Sequence, residues 1–332
     1  VKLSGMYFLK LLLLNGIVAS LYHFHVISVK IPWLPVSVIG TAVAFYIGFK
    51  NNNSYDRLWE ARKIWGGIVN DSRAWAMMID GFITNQFTAK NKSSLAIQSI
   101  KKRLIYRHIA WLYAHRSQLL IPTSWEHKRQ GIQTKKKADK FKNKLGINPL
   151  DDRTRKKELK KFLGAEEYER VINYANTATH IINTQSRELI ALREENLIDD
   201  FRHMELTALL RSFYTLQGKN ERIKNFPLPR QYSAMSTYFV WIFIIMLPFS
   251  MVPELMTIDN WGIWISIPIT ALVGWVYRVM EAIGDYSENP FQGLINDIPM
   301  MSLCRTIEID LREILNEKEL PPQIESIHGI LN

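Results

Sequence analysis

Four long segments without a single Asp, Glu, Lys or Arg constrain this chain most strongly. They cover residues 11–29, 31–49, 231–253 and 260–277. Each approaches the ~20 residues that a helix needs to cross a bilayer, and Pro and Gly are tolerated in such helices when neighbouring helices cover the freed backbone groups. Four buried helices of a soluble bundle are the alternative, but four charge-free runs of this length rarely occur in one bundle. We therefore predict an all-α, polytopic membrane protein with four transmembrane helices.

Basic residues indicate which side of the membrane the long middle of the chain occupies. The formal net charge is +11, and 13 Lys and Arg lie between Lys101 and Lys144, against only Glu126 and Asp139. An excess of Lys and Arg close to membrane spans marks the cytoplasmic side. The middle of the chain and both termini are therefore expected in the cytoplasm.

The expected organisation has four parts. They are transmembrane helices 1 and 2 in residues 1–50 (about 7–29 and 31–50), a helical cytoplasmic region at 51–230, transmembrane helices 3 and 4 at 231–281, and a cytoplasmic C-terminal segment at 282–332. Residues 125–165 of the cytoplasmic region are predicted to be an exposed basic insertion. The basic run between Lys101 and Lys144 has few interleaved aromatic residues and no nucleic-acid motif, so anionic lipid headgroups are a better partner for it than nucleic acid.

The sequence contains no recognisable catalytic constellation. A phosphate-binding glycine loop, a nucleophile elbow and a His-Glu-x-x-His motif are all missing, and Cys304 is the only cysteine, which excludes a disulfide framework and a cysteine-built metal site. His108 and His115 are seven residues apart and can share a helix face, but packing explains such a pair better than a metal site does. We expect neither an enzyme nor a bound cofactor.

The second apolar segment passes into polar sequence without a turn signal. Thr41, Phe45 and Phe49 are spaced i, i+4, i+8, which places them on one face of a helix. On spacing alone, both phenylalanines would contact lipid or neighbouring helices. The three residues Asn51, Asn52 and Asn53 change this interpretation, because three consecutive amides are costly away from water or polar partners. A water-filled pathway lined by this helix would explain the change.

Three stretches of the sequence resemble bacterial bestrophin homologues. The stretch "GFKNNNSYDRLWEARKIWG" (48–66) resembles the family signature, "GKNERIKNFPLPRQY" (218–232) resembles the segment before the third span, and "ENPFQGLINDIP" (288–299) resembles the Asn-Pro-Phe stretch after the fourth. They occur in the family's order, and the resemblance covers nearly the whole chain except about 125–165. It implies a homopentameric ion channel around one central pore.

The resemblance also assigns roles to particular residues. The hydrophobic neck of the pore would be lined by Thr41, Phe45 and Phe49, with Thr41 replacing the bulky aliphatic residue usual at the outermost position. The pore mouth would hold Asn51, Asn52 and Asn53, and a second constriction at the cytoplasmic exit would be formed by Ile198 or Phe201. The structural motif residues are Asp56, Arg57, Trp59, Asn289, Pro290 and Phe291. We expect Asp56 and Arg57 to order the helix as it leaves the membrane, with Trp59 packed beside them.

Calcium gating is not expected in this chain. Eukaryotic members of the family bind calcium through a run of acidic residues after Asn-Pro-Phe, whereas this sequence has only Asp297 there. One carboxylate cannot supply the six to eight oxygen ligands that calcium prefers. No metal site is therefore predicted.

The functional expectation is a passive pentameric channel in the cell (inner) membrane. Its permeant ions would be inorganic anions such as chloride, because the basic middle of the chain can concentrate anions and aromatic ring edges are electropositive. Two alternatives stay open at this stage. One is a cation-selective channel of the same fold, and the other is a non-conducting membrane scaffold or regulatory protein with the insertion at 125–165 as its docking surface.

Overall fold

The computed structural model describes residues 2–123, 158–226, 230–258, 261–293 and 297–326, and within these ranges all regular structure is helical. The helices are α1 (Lys2–His23), α2 (Trp33–Phe82), α3 (Ser94–Leu120), α4 (Ala165–Ile172), α5 (Thr177–Glu194), α6 (Asp200–Asn225), α7 (Arg230–Met256), α8 (Gly262–Ser287) and α9 (Met300–Ile314). The all-α prediction is confirmed. Most of the predicted basic insertion at 125–165 lies outside the described residues.

The chain divides into two compact units. Unit 1 comprises Val1–Arg57 and Pro227–Asn289, and unit 2 comprises Leu58–Phe226 and Pro290–Asn332. The four described helices that are long and apolar enough to cross a membrane are Gly5–His23, Trp33–Phe82, Ala234–Met256 and Gly262–Ser287. They correspond in order to the four charge-free segments of the sequence.

Unit 1 is held together by packing among its spans. Helix α8 packs against both α1 and α7. The buried face of α2 joins the same core, which contains Val43, Ile47, Val240, Phe243, Ile244, Leu247 and Ala271. Helix α2 continues through Asn51, Asn52 and Asn53 to Phe82 without a break. Its one proline, Pro35, lies in the first turn, where a missing backbone N–H costs no helical hydrogen bond.

Unit 2 is built around α3, whose second half is almost entirely buried. Helix α3 contacts α5, α6 and α9, and α5 contacts α4 and α6. Side-chain caps fix where these helices begin: Ser93 Oγ accepts from Ala96 N at 3.2 Å, and Asn176 Oδ1 accepts from Thr179 N at 3.0 Å. Such caps satisfy N–H groups that a helix start leaves without partners.

Candidate functional site

One face of α2 within unit 1 leaves large apolar side chains uncovered. Phe45 is 67% exposed, Phe49 is 59% exposed, and Thr41 is exposed as well. The same face continues toward the start of the helix with Val38 and Leu34, which are also exposed. Neither residue was predicted from the sequence, although Val38 lies three residues before Thr41 and Leu34 lies four before Val38, which continues the helical spacing of the neck positions.

The opposite face of α2 fixes the rotation of the helix. Val43 and Ile47 are 4% and 0% exposed and lie in the core of unit 1. The backbone of α2 comes close to α7 at Gly40, where a Cβ atom would lie 2.7 Å from Cε2 of Phe243. Because the packed face is closed in this way, the Thr41, Phe45 and Phe49 side chains project away from the core of unit 1.

The three asparagines do not share one environment. Asn52 and Asn53 are exposed. Asn51 turns inward, and its Nδ2 donates to the carbonyl O of Met280 on α8 at 3.1 Å. Asn52 and Asn53 are therefore available to water, whereas Asn51 fastens α2 to α8.

The motif residues after the asparagines also lie in different environments. Arg57 Nε donates to the carbonyl O of Glu288 at 3.0 Å, while the Asp56 side chain is exposed. In unit 2, Trp59 is 46% exposed, and the Arg62 guanidinium carbon lies 5.9 Å from the centre of its ring. Arg57 thus contacts a backbone carbonyl at the end of α8, a contact that the sequence did not indicate.

The two candidates for the second constriction lie in different surroundings. Ile198 is 1% exposed and belongs to the core of unit 2, whereas Phe201 is 82% exposed in the first turn of α6. Asp199 caps this helix, because its Oδ1 accepts from Arg202 N at 2.8 Å. The Arg202 guanidinium in turn donates to the carbonyl O of Phe82 at 2.9 Å. These contacts leave Phe201 as the candidate whose side chain reaches solvent.

The Asn-Pro-Phe stretch forms a tight loop that Asp297 holds. Phe291 is fully buried and adopts φ 75°, which is uncommon for a residue with a side chain. The Asp297 carboxylate accepts from the N–H groups of Phe291 at 2.9 Å, Gly293 at 2.7 Å and Ile298 at 2.7 Å. Burial raises the pKa of this carboxyl, and the N–H donors oppose that effect. Both oxygens of Asp297 are therefore occupied by backbone donors.

The two α3 histidines are packed in the core of unit 2. His115 stacks against both Trp65 and Trp111, and its Nε2 lies 3.0 Å from Nδ2 of Asn220. His108 Nε2 lies 2.9 Å from Ser72 Oγ. Burial lowers the pKa of each imidazole to about 3. Neutral rings inside an aromatic cluster fit a packing role, as the sequence suggested.

The comparisons with known proteins agree with this architecture. The family described as Bacterial/Fungal Bestrophin protein matches residues 6–313. The voltage-dependent anion channel-forming protein YneE of Escherichia coli strain K12 is 24% identical over 323 residues, covering 97% of this chain and 90% of the relative. The voltage-dependent anion channel-forming protein RSc3414 of Ralstonia nicotianae is 28% identical over 309 residues, covering 92% of this chain and 85% of the relative.

The fold is similar to that of a solved bestrophin. The crystal structure of a bacterial Bestrophin homolog from Klebsiella pneumoniae superposes with a TM-score of 0.74 at 20% identity, covering 95% of this chain and 99% of that one. The resemblance seen in the three sequence stretches is confirmed. This chain belongs to the bacterial and fungal bestrophin family.

Proposed function

We propose that this protein is a pentameric channel in the cell (inner) membrane that conducts small anions such as chloride, with residues 51–230 and both termini in the cytoplasm. One observation carries the proposal: α2 presents Phe45 and Phe49 away from a packed core, one turn apart on one face. In a ring of five copies, the five Phe45 side chains and the five Phe49 side chains would form two successive rings around the axis, called collars below. Family membership and the anion channel-forming relatives support the same conclusion.

In this proposal the collars form a hydrophobic neck. Water leaves a narrow apolar passage readily, so the neck passes ions only when it is wide enough to stay wet. The electropositive edges of the Phe45 and Phe49 rings favour anions over cations. Asn52 and Asn53 hydrate the cytoplasmic mouth of the neck, and Phe201 forms the second constriction.

The decisive experiment is flux through the purified protein in liposomes. We expect a pentamer in detergent, chloride flux after reconstitution, and a reversal potential under a salt gradient that follows chloride. The double variant Phe45→Ala with Phe49→Ala should raise flux several-fold, because it widens the neck and removes its apolar wall.

A matched control separates the neck from the general effect of losing an apolar side chain. Leu13 on α1 is 67% exposed, like Phe45, and Leu13→Ala should leave flux unchanged. A reversal potential that follows sodium would contradict the anion-channel proposal and favour a cation-selective channel of the same fold. Pentamers that conduct nothing, with or without the two Phe substitutions, would favour the scaffold function.

A further inference from the structure

A buried ammonium lies directly behind the proposed neck. Lys50 follows Phe49 in the sequence, yet its side chain is 0% exposed while that of Phe49 is 59% exposed. Successive helical residues point about 100° apart, so one residue can face outward while the next faces inward. A charged group without a partner in apolar surroundings is very costly, and an ionisable side chain at membrane depth marks a functional position.

Lys50 is held by two carboxylates of α8. Its Nζ contacts the carboxylate of Asp285 and lies 3.8 Å from Oε1 of Glu281. Glu281 is itself fully buried, and it also contacts Arg278 and accepts a hydrogen bond from Thr237 on α7. The Arg278 guanidinium lies 5.0 Å from the centre of the Tyr7 ring on α1. The group of Lys50, Arg278, Glu281 and Asp285 contains two cations and two carboxylates, so its formal charges balance.

The next residue strengthens the attachment of α2 to α8. Asn51 Nδ2 donates to Met280 O at 3.1 Å, and a side chain at Gly284 would collide with Asn51 Oδ1. Gly284 therefore leaves the space that the Asn51 side chain occupies beside α8. Ion pairs and a hydrogen bond thus fix the α2 backbone immediately after Phe49.

We propose that Lys50 is a positioning residue of the channel, whose ion pairs with Asp285 and Glu281 hold α2 at the rotation that points Phe49 into the pore. The inference rests on the proposed function, because it assigns α2 to the pore. A neutral residue at position 50 leaves two carboxylates facing an apolar side chain, and α2 then rotates or shifts to let water reach them. Phe49 is one peptide bond away and moves with the backbone.

Size selectivity is the readout that separates positioning from mere stabilisation. For Lys50→Met, we expect the ratio of gluconate to chloride flux per reconstituted pentamer to rise by about threefold or more, because a displaced Phe49 widens the neck. Lys50→Arg should keep the wild-type ratio. Exchanging the charges, with Lys50→Asp and Asp285→Lys together, should return the ratio toward the wild-type value.

Two further variants keep the test decisive. Lys10 is an exposed lysine on α1, and Lys10→Met controls for loss of a lysine outside the network. Asp285→Asn weakens the same ion pair at a carboxylate that is 34% exposed, and it provides the measurement where Lys50→Met fails to assemble. An intact Lys50→Met or Asp285→Asn pentamer with the wild-type ratio overturns the proposal.

Thiol labelling tests the position of Phe49 without relying on conduction. Cys304 is buried, and burial raises its thiol pKa to about 12, so it contributes little background. We expect a water-soluble thiol reagent to label Phe49→Cys faster than Gly48→Cys, and Lys50→Met to shrink or reverse this difference. An unchanged difference overturns the positioning role. A changed difference in a protein that conducts no ions would refute the channel function and leave the positioning of α2 standing.

Discussion

The Tyr277 hydroxyl donates a hydrogen bond to the carbonyl oxygen of Gly40 at 3.1 Å, one residue before Thr41 on α2. The Phe243 ring lies 4.5 Å from that of Tyr277, centre to centre, and fills the space beside the glycine. This contact among α2, α7 and α8 helps to set which face of α2 is packed and which is left for the proposed pore.

The close approach at Gly40 predicts a stability defect for Gly40→Ala. The added methyl group would lie 2.7 Å from Phe243 Cε2, and overpacking of this kind costs about 1–3 kcal/mol. Thermal unfolding in detergent measures the loss, and Phe243→Leu in the same chain should restore part of it. Gly48→Ala is the control, because a Cβ there meets nothing within 4 Å; an equal loss in both variants would contradict the packing explanation.

The threonine at position 41 predicts gating that differs from that of a channel with a bulky aliphatic residue there. Its Oγ1 donates to the carbonyl O of Ser37 at 3.0 Å, and its small side chain gives the outer end of the proposed neck less apolar surface than a bulky aliphatic residue. Thr41→Ile should lower chloride flux in liposomes, because a third apolar collar favours dewetting. Thr41→Val keeps the side-chain volume and removes the hydroxyl, so it separates the effect of side-chain size on flux from the effect of polarity. Unchanged flux in both variants would place Thr41 outside the neck.

The exposed position of Phe201 predicts an effect of its substitution at the proposed cytoplasmic exit, separate from that of the neck. Phe201→Ala should raise flux or reduce discrimination between anions of different size without changing thermal stability, because the side chain is exposed at the surface of unit 2. Leu95, which is 81% exposed in the first turn of α3, supplies the control as Leu95→Ala. If Phe201→Ala conducts like the wild type with the same size discrimination, the second constriction lies elsewhere.

Asp297 predicts a structural role that is independent of calcium. Its carboxylate accepts three backbone N–H groups that hold the loop around Phe291, and hydrogen bonds to a charged group contribute about 1.5–3 kcal/mol each. Asp297→Ala should therefore lower thermal stability clearly, and Asp297→Asn should do so less. Flux should not change when calcium is chelated. Flux that depends on added calcium, and loses that dependence in Asp297→Asn, would reverse this assignment.

The buried histidines predict sensitivity to acid. Each has a folded-state pKa of about 3, below the ordinary value of 6.5, so the unfolded chain binds more protons than the folded one between these values. The free energy of unfolding therefore falls as the pH drops from 6.5 toward 3, by up to about 1.4 kcal/mol per pH unit for each histidine. His108→Phe should flatten this dependence in unfolding followed by tryptophan fluorescence. An acid dependence as steep as that of the wild type would contradict the assignment.

Much of the architecture is visible in the sequence because it depends on local composition and periodicity. The four charge-free segments determine the spans, since an apolar stretch of this length leaves a helix few other environments. The spacing of Thr41, Phe45 and Phe49 likewise places them on one face of α2 whatever surrounds it.

The tertiary structure decided which side of each element is covered. Ile198 and Phe201 are both apolar and close in sequence, and only the Asp199 cap before α6 and the packing of unit 2 bury one and expose the other. The sequence predicts Asn51 in the pore mouth together with Asn52 and Asn53, and Lys50 directly precedes it. The Lys50 and Asn51 side chains instead face α8, where they contact Asp285, Glu281 and Met280. These partners lie more than two hundred residues further along the chain. A buried charge is tolerated only where folding brings such partners to it. The sequence around Lys50 does not identify these partners, because only the tertiary structure brings them close.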